Sequence, residues 1–151
     1  LVLSRQALPT VDRSRYASAS GLLRGGYVLA DAQGGPPKVI LIASGSEVSL
    51  ALEAYERLSA EGIAARVVSL PCWELFEHQS ADYRESVLPQ SVTARISIEQ
   101  AATFGWGRYV GDAGRTIGMK TFGASAPLKE LQKKFGFTPD QIVTAAKQLI
   151  G

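Results

Sequence analysis

Apolar and polar residues follow two rhythms along this chain, and the change of rhythm marks its elements. Val39-Ile-Leu-Ile-Ala43 is apolar at every position, the pattern of a strand buried on both faces. After Ser44-Gly-Ser-Glu47, the residues Val48, Ala51, Leu52, Tyr55 and Leu58 recur at i, i+3, i+4 and i+7, which gives a helix one apolar face. Gly62 suits the end of that helix, and Arg66-Val-Val-Ser-Leu70 is a second strand. Strand, glycine turn, helix and strand make a βαβ unit. Such a unit fixes a parallel sheet and places a helix N-terminus at the strand's carboxyl edge, where α/β proteins commonly bind ligands. Ser44 and Glu47 have capping-box spacing, and Glu53 and Arg57 form an i,i+4 ion pair.

The same reading predicts strands at Gly26–Ala30, Val92–Ile98 and Arg115–Lys120, with a short helix over 101–110 between the last two. Two helices close the chain. One begins near Ser125-Ala-Pro and keeps Leu128, Leu131 and Phe135 on one side. The other has Thr138 as N-cap, Pro139 at the first helical position and Gln141 completing a capping box, with Ile142, Ala146, Leu149 and Ile150 as its apolar face. Residues 1–9 read as the tail of a preceding domain and 10–25, polar and without period, as a linker. A doubly wound α/β domain then occupies 26–151. Leu1 opens on an apolar run where a natural terminus is usually polar, so the chain is expected to be a piece of something longer.

Composition narrows the function classes. An apolar share of 46% and a charged share of 20% are those of a globular protein, and a net charge of +2 with scattered basic residues argues against nucleic acid. The single cysteine excludes an internal disulfide framework and fits a reducing compartment, read as the cytoplasm. No apolar run approaches the length of a membrane span.

Few residues carry chemistry. The Gly45 turn lacks the glycines of a dinucleotide or P-loop motif, and Glu47 adds negative charge, so a capped structural turn is preferred to a phosphate cradle. His78 lies in a polar stretch without a nucleophile motif and reads as a surface histidine. Cys72, in a strand-to-helix corner, reads as a structural thiol. Trp73, Phe76, Phe104, Trp106 and Tyr109 read as core or subunit-interface aromatics, while Asp82, Glu85, Glu99 and Asp112 are dispersed and name no acid–base pair. Arg5, at the end of an apolar run, has two readings, a phosphate ligand or a terminal arginine of no special role.

Leu3-Ser-Arg-Gln6, Arg24-Gly-Gly-Tyr-Val-Leu29, Ile42-Ala-Ser-Gly-Ser-Glu-Val48, Ala65-Arg-Val-Val-Ser-Leu-Pro71, Tyr83-Arg-Glu-Ser-Val-Leu-Pro89 and Phe122-Gly-Ala-Ser-Ala-Pro127 together resemble transketolase across the whole chain. The resemblance implies the C-terminal domain, an α/β/α sandwich on a five-stranded mixed sheet whose first strand is antiparallel to the rest. It implies a parent that moves two-carbon ketol units between sugar phosphates in the pentose phosphate pathway, as a homodimer using thiamine diphosphate and a divalent metal (Mg or Ca). Cofactor, metal and catalytic residues would lie in other domains, leaving this piece accessory, inactive alone, and without nucleic-acid or membrane partners. The arginine of the Leu-Ser-Arg-Gln motif contacts the sugar phosphate in that family, which assigns Arg5 to this role. The alternative is a regulatory module that binds a small ligand at the sheet edge near Gly45.

Overall fold

Five strands, β1 (Tyr27–Ala30), β2 (Val39–Ala43), β3 (Ala65–Ser69), β4 (Arg95–Ala102) and β5 (Arg115–Met119), join in one sheet in the order β1-β3-β2-β4-β5. The structure is a computed structural model and describes residues 6–151. β1 is antiparallel to β3, and every other neighbouring pair is parallel. This is the mixed five-stranded sheet expected above.

β2 shows why the sheet needs cover on both sides. All five of its residues are buried, and successive side chains point to opposite faces. Val39, Leu41 and Ala43 join Leu52, Tyr55 and Leu58 of α1 (Glu47–Ala60) and Ile142, Ala145 and Ala146 of α6 (Pro139–Ile150) in one core. Ile40 and Ile42 join the other, with Phe76 from α2 (Trp73–Glu77), Val87 from α3 (Ala81–Val87), and Tyr109 and Val110 from α4 (Gly107–Val110). The result is three layers. The remaining helix, α5 (Leu128–Phe135), buries no residue fully.

Three boundaries differ from the sequence reading. β4 begins at Arg95, not Val92, because Val92 is used in a turn whose N–H donates to the Pro89 carbonyl. The Arg95 guanidinium donates to the carbonyls of Leu88, Pro89, Val92 and Tyr109, which fixes the entry of the strand. β4 also continues to Ala102, through an irregularity against β5 between Glu99 and Ala102, so the helix expected over 101–110 shrinks to α4. The segment read as a linker is tied down. Ser18 caps a 3₁₀ turn at Ala19–Arg24, and Gly25 closes it at φ 77°. The Ala17 N–H donates to the Leu29 carbonyl at 2.9 Å.

Candidate functional site

The strand order reverses between β2 and β4, since the chain leaves β2 for β3 on one side and returns to β4 on the other. A crevice at such a switch point is where an open α/β sheet places its ligands. The register pairs Ala43 with Ile98, so Ser44 and Glu99, the next residue of each strand, stand side by side at the carboxyl edge. There the Ser44 hydroxyl donates to Glu99 Oε2 at 2.5 Å. Burial pushes the Glu99 carboxyl up, the Ser44 hydrogen bond lowers it in part, and the nearby Glu47 raises it further.

Glu47 is the surprise of this edge. Its capping-box partner was to be Ser44, but α1 starts after Ser46 and no side chain caps it there. Glu47 instead turns inward to 3% exposure, where its Oε1 accepts from Ser46 Oγ at 2.6 Å and Gln100 Nε2 at 2.7 Å. The helix dipole favours a carboxylate in this first turn, which offsets part of its burial. Sequence reasoning dismissed Glu99 as dispersed and missed Gln100. Residues that end parallel neighbouring strands meet in space, and the ends of the two apolar runs were the available signal.

A cleft of about 350 Å³ opens beside this group, with Cys72, Trp73, Phe104 and Trp106 among its walls. Cys72 is half-buried with its thiol 3.5 Å from Glu74 Oε2, and His78 is exposed with Nδ1 2.6 Å from the Glu74 carbonyl. Among the described residues the Cys72 thiol has no histidine within hydrogen-bond reach, and His78 meets no side-chain nucleophile. The other part of the edge, near Gly45, shares a cleft of about 260 Å³ with Leu8, Pro9, Val11 and Leu22. The leading segment therefore borders the turn that had looked open. Arg5 lies outside the described residues.

Trp106 and Tyr109 are buried and stack edge-on with Trp73 at 5.0 and 5.2 Å, whereas Phe104 is 91% exposed. The aromatic group thus splits between core and surface. Among the described residues, no three His, Cys, Asp or Glu side chains gather to hold a metal. The carboxylates of the switch point repel a diphosphate. These residues do not fit thiamine diphosphate and its metal.

Residues 25–138 match the family described as the transketolase-like TK C-terminal domain. The chain belongs to this family. It is 52% identical to the chloroplastic transketolase of Solanum tuberosum, covering 99% of this chain and 20% of the relative. Transketolase 1 of Escherichia coli (strain K12) is 51% identical, with 99% of this chain and 22% of the relative covered. The transketolase of Pichia stipitis solved with sedoheptulose 7-phosphate superposes with a TM-score of 0.84 at 39% identity, covering 97% of this chain and 20% of that one. The Leishmania mexicana transketolase gives 0.80 at 42% identity, over 89% and 19%. The chain spans about a fifth of the length of these relatives. In this transketolase C-terminal domain the switch point of the sheet holds Glu47 and Glu99. No helix of the described residues is long and apolar enough to cross a membrane.

Proposed function

We propose that this chain is the C-terminal part of a transketolase, a thiamine-diphosphate-dependent transferase that moves two-carbon ketol units from ketose to aldose phosphates. In the parent, Arg5 binds the substrate phosphate, the cofactor and its divalent metal sit in the domains that precede this one, and two copies pair. The domain itself is accessory, and the isolated chain turns nothing over. One observation carries this reading: identity of about half extends over 99% of the chain to named transketolases, while the switch-point group is two carboxylates with no fit to the cofactor. A coupled assay of the purified chain with thiamine diphosphate, metal and pentose phosphates is expected to give no turnover, and clear turnover overturns the proposal. Cytoplasmic localisation belongs to the same proposal and rests on the lone cysteine. The chloroplastic names of plant relatives set the alternative.

The second reading, a ligand-binding module, draws on the cleft beside Glu99. Its acidic and aromatic walls favour a cationic or hydroxyl-rich ligand over a phosphate. Calorimetry against sugar phosphates, nucleotides and thiamine diphosphate is expected to be flat.

A further inference from the structure

We propose that the carboxyl edge of the sheet is a docking face for the domain that precedes this one in the parent enzyme, with Phe104 and Phe122 as its apolar anchors; the inference rests on the reading of this chain as part of a longer transketolase. β2, β3, β4 and β5 run parallel, so the loops that leave them all emerge at this edge. The clefts there join end to end. The cleft of about 260 Å³ at Gly45 shares Pro71 with the cleft of about 350 Å³ beside Glu99. The latter shares Ala102 and Phe104 with a third, of about 530 Å³, which Phe122 also lines. Together they form one furrow along the ends of four strands.

Large apolar side chains stand exposed along its length. Leu8 and Leu22 are half-exposed in the first cleft, Phe104 is 91% exposed where the second meets the third, and Phe122 is 98% exposed in the third. Scattered single apolar side chains are ordinary on a surface, but a contiguous row of them marks a binding face. In a chain that is 20% charged, neither 101–107 nor 121–128 carries a charge. Aromatic anchors among uncharged residues are the composition of an interface centre. Phe104 is held outward by a fixed turn. Gly105 beside it stands at φ 83°, a Cβ there would lie 2.6 Å from the Trp73 ring, and its carbonyl accepts from the Arg108 N–H at 3.2 Å.

The occupant follows from where the polypeptide reaches the domain. Leu8 and Pro9 lie against Gly45, Ser69 and Pro71, at the ends of β2 and β3, so the leading segment enters at the first end of the furrow. This chain covers only 20% and 22% of its transketolase relatives, which leaves a much larger body to be placed. Tethered beside the furrow, that body has a high effective concentration there, whereas a second copy must arrive by diffusion. The surface that fits is apolar against Phe104 and Phe122 and offers hydrogen-bond donors to Glu74 and Glu99 in the central cleft. The edge that α/β proteins commonly give to a ligand is here given to a neighbouring domain.

The test uses a transketolase that carries this chain and reads labelling by a water-soluble maleimide, which needs no activity. Phe122→Cys, and Ser125→Cys, which keeps both phenylalanines, are expected to react on the order of tenfold more slowly in the native enzyme than in urea. Asp112→Cys, exposed just before β5 at the opposite edge, should react at nearly its unfolded rate, and the unsubstituted enzyme supplies the background. Native labelling of Phe122→Cys and Ser125→Cys at the unfolded rate means that the edge is open and overturns the proposal. Phe104→Ser combined with Phe122→Ser is expected to leave the sedimenting mass unchanged and to speed proteolysis within residues 10–18 about fivefold. A fall in mass would make the occupant a second copy, and no change in mass or proteolysis would mean that the phenylalanines anchor nothing; either result overturns the assignment. A coupled transketolase assay of the unsubstituted enzyme separates the two failures, because absent turnover removes the transketolase reading whatever the labelling shows.

Discussion

At the scale of single residues, the carboxyl edge of the sheet makes Glu99 and Gly25 the informative positions. Glu99 is an acid whose burial raises its folded pKa, so the folded state holds its proton more tightly than the unfolded chain does. Stability from this group is therefore greatest at acid pH and falls as pH rises from the ordinary carboxylate range through the folded value. Glu99→Gln keeps an acceptor for Ser44 and removes both the titration and the repulsion from Glu47. Its melting temperature is expected to exceed that of wild type by about 2 °C at neutral pH, with the difference vanishing near about pH 4. A gap that stays constant with pH removes the explanation. Gly25 stands at φ 77°, and a Cβ there would lie 2.4 Å from both the Cys72 carbonyl oxygen and the Phe76 nitrogen. Both atoms are backbone and neither can swing aside. Gly25→Ala is expected to cost about 3 kcal/mol in chemical denaturation, from left-handed strain and the clash together.

At the scale of elements, the two caps that the sequence proposed met different fates. Thr138 accepts from the Gln141 N–H as predicted, with Pro139 at the first helical position. Thr138→Ala should lower stability by about 1 kcal/mol, measured by urea denaturation. Glu47 followed the capping pattern on paper, yet Gln100, fifty-three residues away in sequence, draws it inward. A local pattern cannot register a partner delivered by another strand. The periodicity of α1, its Glu53–Arg57 pair at 2.6 Å and the end at Gly62 were all legible, because the forces that shape them act within one helix. The end of β4 was not. Glu99-Gln-Ala-Ala102 has no apolar alternation, and only pairing with β5 keeps it extended. The 3₁₀ turn at Ala19–Arg24 escaped for a related reason: it has no buried residue of its own and is set by its Ser18 cap and by Gly25. Of the candidate site, the edge could be named from the βαβ unit, but the meeting of Ser44 with Glu99 required the strand order.

At the scale of the whole molecule, the sheet determines whether the two cores behave as one. β2 contributes Val39, Leu41 and Ala43 to one side and Ile40 and Ile42 to the other, so neither layer can be removed without exposing a strand that the other needs. Both tryptophans, Trp73 and Trp106, lie on the α2–α4 side. Tryptophan fluorescence therefore reports one layer, while far-ultraviolet circular dichroism reports every helix. If the sheet couples the layers, the two signals share one midpoint in urea. Leu58→Ala, a substitution on the opposite side of the sheet, should shift both midpoints together by the equivalent of about 3 kcal/mol. Fluorescence that holds at the wild-type midpoint while circular dichroism moves would mean that the α1–α6 layer opens by itself. That outcome reaches the leading segment as well, because α1 carries Glu56, which accepts from Tyr16 and Arg15. A layer able to loosen independently would release the leading segment while the rest of the fold stayed intact. A single transition instead makes the sheet a rigid support, on which the Tyr16–Glu56 tie keeps one setting.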